Sequence, residues 1–482
     1  MENNYVSGRK GPSRRAFLSA SAAAAVAAPL VSVIAPASAA SASAGSAQTT
    51  GNFDPALRAL ITQIDPSRIQ ATIEKLVSFG TRHTASSQND PVRGIGAATA
   101  WVYDQMQGFA AASNGNMIVQ KQTFVQPVSN RIPVPTMITN VIATLQGTAS
   151  PQRFYVVTGH LDSRVTDVLD FTSDAPGADD DGSGVACVLE LVRLFATHQF
   201  PGTIVLATVA GEEEGLYGSA HMAQQMAAAG NDVQGMFSND IIGTGDAHDG
   251  TKPDPFTVRM FLEGIPTAAT ANDIAVMQSV GGENDGLSRQ LGRYVSSVAP
   301  FNLTNMNVRL IWRRDRYLRG SDHLSFQQQG YAAARFTEPR ENFNHEHQNT
   351  QVVNGVQLGD LIQYVDFSYV ARVTAVNAAA LWALASSPST PKHVQIHTAP
   401  PVNFAGTNLT TLTWNANPEG NLTGYEVVMR ETTDPDWTSA IPVSSNLTSV
   451  TLNISKDNLQ FGLRAVDQNG NRSPVAFPQV AN

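Results

Sequence analysis

Three polar motifs in the first half of the chain carry residue types that can bind a metal and move a proton. Residues 159–163 contain His160 and Asp162, residues 176–184 contain three consecutive aspartates, and residues 211–219 contain three consecutive glutamates. A histidine and an aspartate two positions apart on a strand point to one face, so the aspartate can orient the imidazole for metal binding. Adjacent glutamates can divide the work, one binding metal and the other transferring protons. Imidazole and carboxylate ligands favour zinc, with cobalt or manganese as alternatives.

The segments around these motifs predict the elements that position them. Residues 154–157 and 203–209 are apolar and rich in β-branched types, and the apolar residues of 185–195 recur at helical spacing. The resulting order of strand, loop, helix, strand and loop places the polar residues at the carboxyl ends of two strands, where open α/β sheets bind ligands. Each motif alone has an ordinary explanation, such as a turn, a calcium loop or a helix start. Together they predict one metal-dependent active site.

Composition narrows the class of protein. The 482 residues suffice for two or three domains, and a hydrophobic content of 42% allows a large core. Cys187 is the single cysteine, so neither an intramolecular disulfide nor a cysteine-based metal site is possible. The formal net charge is −9, and it becomes more negative without the basic N-terminus. This acidic balance argues against nucleic acid and anionic membranes as partners.

Residues 1–42 are predicted to form a twin-arginine signal peptide. Arg14 and Arg15 precede a long alanine- and valine-rich segment that ends in small residues suited to a signal peptidase. Pro29 and Pro36 interrupt that segment and disfavour a permanent membrane anchor. We therefore expect an exported chain, periplasmic or secreted, whose mature form has no membrane span and begins with a flexible segment at residues 43–54.

As a set, the motifs resemble those of peptidase family M28, of the two-zinc aminopeptidase type. The resemblance is carried by residues 158–163, 178–184 and 211–219, followed in the family's order by residues 239–243 and 321–323. It extends over residues 55–385. It implies an α/β domain of three αβα layers around a central twisted mixed β-sheet.

The resemblance also implies two zinc ions per chain, a general base and a set of ligands. Glu212 matches the base, which would activate a water or hydroxide bridging the two metals, and Asp162 would orient the first histidine. In residues 342–350, alignment on the closing threonine places the last ligand at His345 rather than at His347. The implied ligands are His160 and Asp240 for one ion, Glu213 and His345 for the other, and Asp180 as the bridge.

Other residues are expected near the metals or the substrate. Asn344 stands where the family often has a tyrosine that polarises the scissile carbonyl, and its amide can donate a hydrogen bond. His323 closes a further family motif. The basic run of residues 313–319 includes Arg314 and Arg316, whose guanidinium groups can bind a substrate carbonyl or carboxylate. Ordinary ion pairs with neighbouring carboxylates are the alternative for this run.

The C-terminal part predicts a separate all-β sandwich. Residues 386–391 are rich in serine and proline and predict a linker, which implies independent folding of the two parts. Residues 392–482 contain short strands with turn signals at sandwich spacing. Residues 412–414, 424–428 and 461–470 resemble a fibronectin type III module, which implies an accessory rather than a catalytic role.

The favoured function is a metallo-aminopeptidase, a two-zinc exopeptidase that hydrolyses the N-terminal peptide bond of peptides. One alternative is an M28-type carboxypeptidase in which residues 313–319 hold the substrate carboxylate. Another is a glutaminyl cyclase-like acyltransferase that works with a single zinc. An adhesive protein on an inactive peptidase scaffold is disfavoured by the complete ligand set.

Overall fold

The computed structural model describes residues 54–246, 251–397 and 409–481. The predicted signal peptide lies outside the described residues, as does the predicted flexible segment apart from Asp54. Two parts follow each other along the described chain: a large α/β part and a smaller all-β part.

A mixed eight-stranded β-sheet forms the centre of the α/β part. Its strands are β1 (Met117–Gln126), β2 (Thr136–Leu145), β3 (Ser150–His160), β4 (Gly202–Val209), β5 (Asp232–Asn239), β6 (Thr257–Phe261), β7 (Asn307–Ile311) and β8 (Ala333–Thr337). They lie in the order β1-β2-β4-β3-β5-β8-β6-β7. Strands β4, β3, β5 and β8 run parallel to one another, and the antiparallel pairs are β1 with β2, β2 with β4, and β8 with β6. Every residue of β4 is buried, as expected of a strand covered on both faces.

Helices cover both faces of this sheet. Tyr155 and Val157 of β3 face the larger core, whereas Val156 faces a smaller one, because successive strand residues alternate between faces. The helices among the described residues are α1 (Pro55–Ile61), α2 (Pro66–Val77), α3 (Ile95–Ala110), α4 (Gly182–Phe195), α5 (Tyr217–Ala228), α6 (Ala271–Ser279), α7 (Leu287–Val298), α8 (Phe301–Thr304), α9 (His323–Gln327) and α10 (Phe367–Ser386). Residues of α2, α3, α4 and α10 build the larger core, and residues of α5 and α9 build the smaller one. The predicted three-layer αβα architecture is confirmed.

Helix α10 is long and apolar enough to cross a membrane. However, 67% of its most apolar stretch is buried inside the protein, as in the core helix of a globular domain. A short exposed hairpin precedes it, formed by β9 (Gln351–Val353) and β10 (Val356–Leu358).

The C-terminal part is the predicted all-β sandwich. Its strands are β11 (Gln395–His397), β12 (Thr410–Thr413), β13 (Leu422–Glu431), β14 (Ser439–Ser444), β15 (Ser449–Leu452), β16 (Leu459–Asp467) and β17 (Gln479–Val480). One sheet has the order β15-β12-β11-β17 and the other β14-β13-β16. Leu412 of the first sheet shares a buried cluster with Tyr425 and Leu463 of the second, so the two sheets enclose a core of their own.

A buried ion-pair network joins the sandwich to the α/β part. Asp285, just before α7, lies 2.9 Å from Arg293 of α7 and 2.6 Å from Arg430 of β13. Nearby, the Trp437 indole N–H of the sandwich donates to the Gln290 side chain of α7 at 3.0 Å. These groups are buried, so each depends on a partner from the other part of the chain.

The predicted linker is held by contacts on both sides. The Ser389 amide donates to the Glu419 carboxylate at 2.6 Å, and the Thr390 amide donates to the Gln234 side chain at 3.2 Å. Together with the buried network, these bonds do not favour the independent folding that the linker composition implied.

Removal of one cation from the interface should destabilise the chain. Arg430→Gln leaves the fully buried Asp285 carboxylate with one cationic partner, Arg293, and loss of a buried ion-pair partner costs about 3–5 kcal/mol. The free energy of unfolding in urea measures this loss. Arg472→Gln is the matched control, because it removes a 32% exposed arginine from the same sandwich, where an ion pair is worth about 0–1 kcal/mol. Equal small losses in both variants would show that the interface does not stabilise the chain.

Candidate metal centre

The segments that follow three parallel strands bring the predicted ligands together at one edge of the sheet. His160 is the last residue of β3, Glu212 and Glu213 follow β4, and Asp240 follows β5. Asp180 comes from the loop before α4. Because β3, β4 and β5 are parallel neighbours, their carboxyl ends meet at the same edge. All of these side chains except that of His160 line a cavity of about 470 Å³.

Asp180 lies between two imidazole rings. Its Oδ1 is 3.0 Å from Nε2 of His160, and its Oδ2 is 2.9 Å from Nε2 of His347. His347 Nε2 is also 2.9 Å from the Glu213 carboxylate, and His160 Nε2 is 3.9 Å from that of Asp240. One carboxylate therefore faces two separate groups of ligand atoms, which is the arrangement that a bridge between two metal ions requires.

The structure places His347, not His345, beside Asp180 and Glu213. The ring of His345 instead stacks on Tyr364, with 3.5 Å between ring centroids and 9° between planes. Nδ1 of His345 lies 3.0 Å from the side-chain amide nitrogen of Asn342. The prediction of His345 as the ligand is therefore corrected to His347, which has a positive φ of 53°. Counting back from Thr350 missed this local turn, which presents the later histidine to the cavity.

Two groups of side chains can each hold an ion. The ligand atoms of His160, Glu212 and Asp240 lie within 4.8 Å of one another, as do those of Asp180, Glu346 and His347. Nitrogen–oxygen distances near 3 Å approach the spacing of about 3.3 Å between ligands of a tetrahedral ion with bonds of about 2.0 Å. The donor set consists of imidazoles and carboxylates without a thiolate. These residues fit zinc.

Charges inside the centre shift its titrations in opposite directions. Burial alone would raise the pKa of Asp180, but the charge of His347 and hydrogen bonds from both imidazoles hold it well below its usual range. Burial raises the pKa of Glu212 well above its usual range, and Asp240 and Glu213 add to this although His160 opposes it. The centre thus contains one carboxylate stabilised as an anion and one with a high affinity for a proton.

Asp162 and Asp181 fix the loops that carry the ligands. His160 Nδ1 lies 3.1 Å from the Asp162 backbone carbonyl and 3.8 Å from its carboxylate, which instead accepts the Glu213 amide at 3.0 Å. Asp162 therefore contacts His160 through its carbonyl and supports the glutamate loop through its side chain. The Asp181 carboxylate accepts the amides of His160 at 2.8 Å and Gly184 at 3.0 Å, which ties β3 to the start of α4.

Arg335 is a buried partner of the centre that the sequence motifs did not reveal. It lies on β8 with no exposed surface, and Nη2 donates to the Asp240 carboxylate at 2.9 Å and to its carbonyl at 3.0 Å. Its Nη1 lies 3.5 Å from the Asp315 carboxylate. An arginine inside a short apolar run was the available signal, since buried arginines are found paired. Arg335 holds Asp240 in the orientation that faces His160.

The residues expected near the substrate divide into two groups. Arg316 lines the cavity, but it is already paired with Glu341 and lies 3.1 Å from the Asp315 carboxylate. Arg314, His323 and Asn344 are not among the described residues that line the cavity. His323 Nε2 lies 2.9 Å from the Arg314 carbonyl, and the Asn344 backbone N–H donates to the Asn342 side chain at 3.1 Å, so these contacts stabilise the loops that carry them.

Similar proteins place this chain in a known family. A profile of peptidase family M28 matches residues 140–363, a segment that contains the whole candidate centre. A probable zinc metalloprotease of Leptosphaeria maculans is 47% identical over 422 residues, covering 88% of this chain and 96% of its own length. Another, of Pyricularia oryzae, is 48% identical over 431 residues, covering 88% and 84%. The similarity to these relatives thus extends through both parts of the chain.

Solved structures resemble this chain more distantly. The LapA aminopeptidase of Legionella pneumophila superposes with a TM-score of 0.47 and 18% identity, covering 69% of this chain and 75% of its own. A glutaminyl cyclase of Porphyromonas gingivalis superposes with a TM-score of 0.45 and 16% identity, covering 66% and 97%. Likenesses of this size do not bear on function.

Substitution of the two neighbouring histidines should separate their roles. His347→Ala removes the imidazole that faces Asp180 and Glu213, so we expect the variant to bind less zinc than the unaltered chain. His345→Ala is the matched control and should retain its zinc, because that ring stacks on Tyr364 instead. Elemental analysis of both zinc-loaded variants measures the difference. Loss of zinc from the His345 variant alone would make His345 the ligand.

Proposed function

The chain belongs to peptidase family M28 and is a zinc metalloprotease, and we propose that it is a two-zinc aminopeptidase. The observation that carries the proposal is the position of Asp180, whose two oxygens face the imidazoles of His160 and His347. A single-zinc acyltransferase would not need a carboxylate shared in this way. Measurement of zinc per chain distinguishes the two reactions.

The metal ligands would divide into two sets. His160 and Asp240 would hold one zinc ion, Glu213 and His347 the other, and Asp180 would contact both. When bound, the ions would polarise the scissile carbonyl and lower the pKa of a water molecule. Arg335 would keep Asp240 oriented for metal binding, since it donates to both the carboxylate and the carbonyl of Asp240.

Glu212 is proposed as the general base. It lines the cavity beside the ligands, and burial gives it a raised pKa, so it holds a proton well once it has received one. It would accept a proton from the attacking water and return it to the nitrogen of the departing amine. Its neighbour Glu213 has a different role, because its carboxylate is in contact with His347.

The cavity supports recognition of a substrate amine. An N-terminal ammonium group requires a carboxylate partner, and Glu212 and Asp240 both line the cavity. The two cavity arginines of the basic run are already engaged, Arg316 by Glu341 and Arg319 by Glu346. This pairing disfavours the carboxypeptidase in which the basic run holds the substrate carboxylate.

Export and the accessory part remain proposals from the sequence. We propose that residues 1–42 direct the chain through the twin-arginine route, which delivers it to the periplasm or the medium. This route carries folded proteins, which suits a metalloenzyme loaded with zinc before export. We further propose that the C-terminal sandwich is a fibronectin type III-like accessory module.

The two glutamates should respond differently to loss of charge. Glu212→Gln should keep two zinc ions per chain and lose about 10²–10⁴-fold in turnover, the usual contribution of a general base. Glu213→Gln should lose zinc as well as activity, because its carboxylate lies 2.9 Å from Nε2 of His347. Zinc content and turnover are measured on the same samples. Zinc loss in the Glu212 variant with retention in the Glu213 variant would exchange the two roles.

A free N-terminus should be required for hydrolysis. The zinc-loaded chain should release nitroaniline from leucine-nitroanilide and show little or no activity on its N-acetyl form, since acetylation removes the ammonium charge. The rate of absorbance change on the two substrates is the measurement. Equal rates would refute an aminopeptidase, and cleavage confined to N-blocked peptides with a free C-terminus would favour a carboxypeptidase.

A further inference from the structure

Among the described residues, four arginines line the cavity of the metal centre, and two of these arginines are neutralised by carboxylates. Arg316 pairs with Glu341 and Arg319 pairs with Glu346, as part of the basic run. The other two, Arg131 and Arg164, come from segments outside that run.

The guanidinium groups of Arg131 and Arg164 donate hydrogen bonds to backbone carbonyls in the described parts of the chain. Arg131 Nη1 donates to the Glu213 carbonyl at 2.9 Å. Arg164 donates from Nε to the Val165 carbonyl and from Nη2 to the Thr166 carbonyl, both at 3.0 Å. Among the described residues no carboxylate lies within ion-pair distance of either arginine. Each guanidinium therefore keeps its charge and most of its N–H donors for another group.

The backbone on which Arg131 sits is firmly held. The neighbouring Ile132 is fully buried, and the Ser129 amide donates to the Ile132 carbonyl at 2.9 Å to close a turn. The Tyr217 hydroxyl at the start of α5 donates to the Ser129 hydroxyl at 2.8 Å. The guanidinium is thus anchored at the rim beside the glutamate loop.

The backbone of Arg164 is also firmly held, directly after the motif of residues 159–163. It lies between Ser163 and Val165, both of which are buried. The Thr166 amide donates to the Asn349 side chain at 3.2 Å, and the Asn349 amide returns a bond to the Thr166 hydroxyl at 3.2 Å. This reciprocal pair joins the Arg164 segment to the segment that carries His347.

The balance of charge in the cavity points to an anionic ligand. Three of the carboxylates that line it, those of Asp180, Glu213 and Asp240, are the ones that two divalent zinc ions would neutralise, and Glu212 would face the attacking water and the substrate amine. The charges of Arg131 and Arg164 then have no counterion within the described cavity. Arg131 is exposed and Arg164 is half-buried, and a guanidinium at such a rim can bind a carboxylate through two parallel N–H bonds.

We propose that Arg131 and Arg164 bind a carboxylate of the substrate and make the enzyme selective for anionic peptides. The proposal rests on the aminopeptidase function and names its substrate class. Two parts of a peptide can supply the group: an acidic side chain at the N-terminal residue, or the free C-terminal carboxylate of a dipeptide. Both present the same planar anion to the rim, so the substrates tested must separate them.

The first arm of the test compares isosteric aminoacyl substrates. The zinc-loaded full-length chain should cleave glutamyl-nitroanilide with about 10-fold or higher kcat/KM than glutaminyl-nitroanilide, the scale of one charge-assisted hydrogen bond. Arg131→Gln and Arg164→Gln should each reduce this ratio by about 10-fold. The control is Arg309→Gln, an exposed arginine outside the cavity whose loss changes the net charge equally and should leave the ratio unchanged.

The second arm compares the dipeptide leucyl-glycine with its C-terminal amide under the same conditions. Dependence on Arg131 and Arg164 in this pair assigns the carboxylate to the C-terminus, whereas dependence in the first pair assigns it to the acidic side chain. If neither ratio changes in either variant while the neutral substrates are cleaved, the inference is overturned and the aminopeptidase function stands.

Binding measured without turnover keeps the two proposals distinguishable. Calorimetric titration of the zinc-loaded Glu212→Gln variant with L-glutamate and with L-glutamine should show about 10-fold tighter binding of glutamate. A double variant that also carries Arg131→Gln should show a smaller difference between the two affinities. This difference would support the carboxylate site even if no aminoacyl substrate were cleaved. Equal affinities, together with equal binding of leucyl-glycine and its amide, would refute it.

Discussion

Mutual repulsion among buried carboxylates is the constraint on which this structure depends. Asp180, Glu212, Glu213 and Asp240 share one cavity, and an uncompensated charge in such a place costs several kcal/mol. The protein offsets part of this repulsion with the guanidinium of Arg335 on Asp240, and it places an imidazole on either side of Asp180. Divalent ions bound by these carboxylates would offset the rest, so we expect metal binding to stabilise the fold.

The fold can hold these carboxylates close together because the well-packed strands β3 and β4 end at the candidate metal centre. Strand β4 is buried along its whole length, and the last six residues of β3 are buried as well, so the strand ends are fixed by packing. Asp181 then ties the loop before α4 to β3 by accepting amides from both. Asp162 bonds the glutamate loop to the segment after β3, and Asp181 bonds the aspartate loop to β3 itself. Both loops therefore hold ligand atoms at distances near 3 Å.

Hydrophobic periodicity and motif order predict a large part of the fold and of the site. The sequence predicts the apolar strands β3 and β4, the helix after the aspartates and the position of Asp180, because local composition determines these features. His347 was not predicted, because the segment that carries it is also held by bonds between Asn349 and the distant Thr166. Strand β8 and Arg335 were missed for a related reason: a short Ala-Ala-Arg-Phe-Thr run does not look like a central strand, and only the fold shows that Asp240 lies beside it. The linker suggested independent parts, since composition does not reveal buried ion pairs across an interface.

The interface between the sandwich and the α/β part is connected to the cavity wall through Arg293, which has two sets of contacts. It pairs with Asp285 where the sandwich docks, and its guanidinium also lies 5.0 Å from the centre of the Trp312 ring. Arg289, one turn earlier on α7, lies 5.3 Å from the same ring and donates to the Trp312 carbonyl at 3.1 Å. Trp312 directly precedes the basic run, whose Arg316 and Arg319 line the cavity. A continuous series of contacts therefore runs from the sandwich through α7 to the cavity wall, so a part of the chain with no ligand of its own supports the shape of the site.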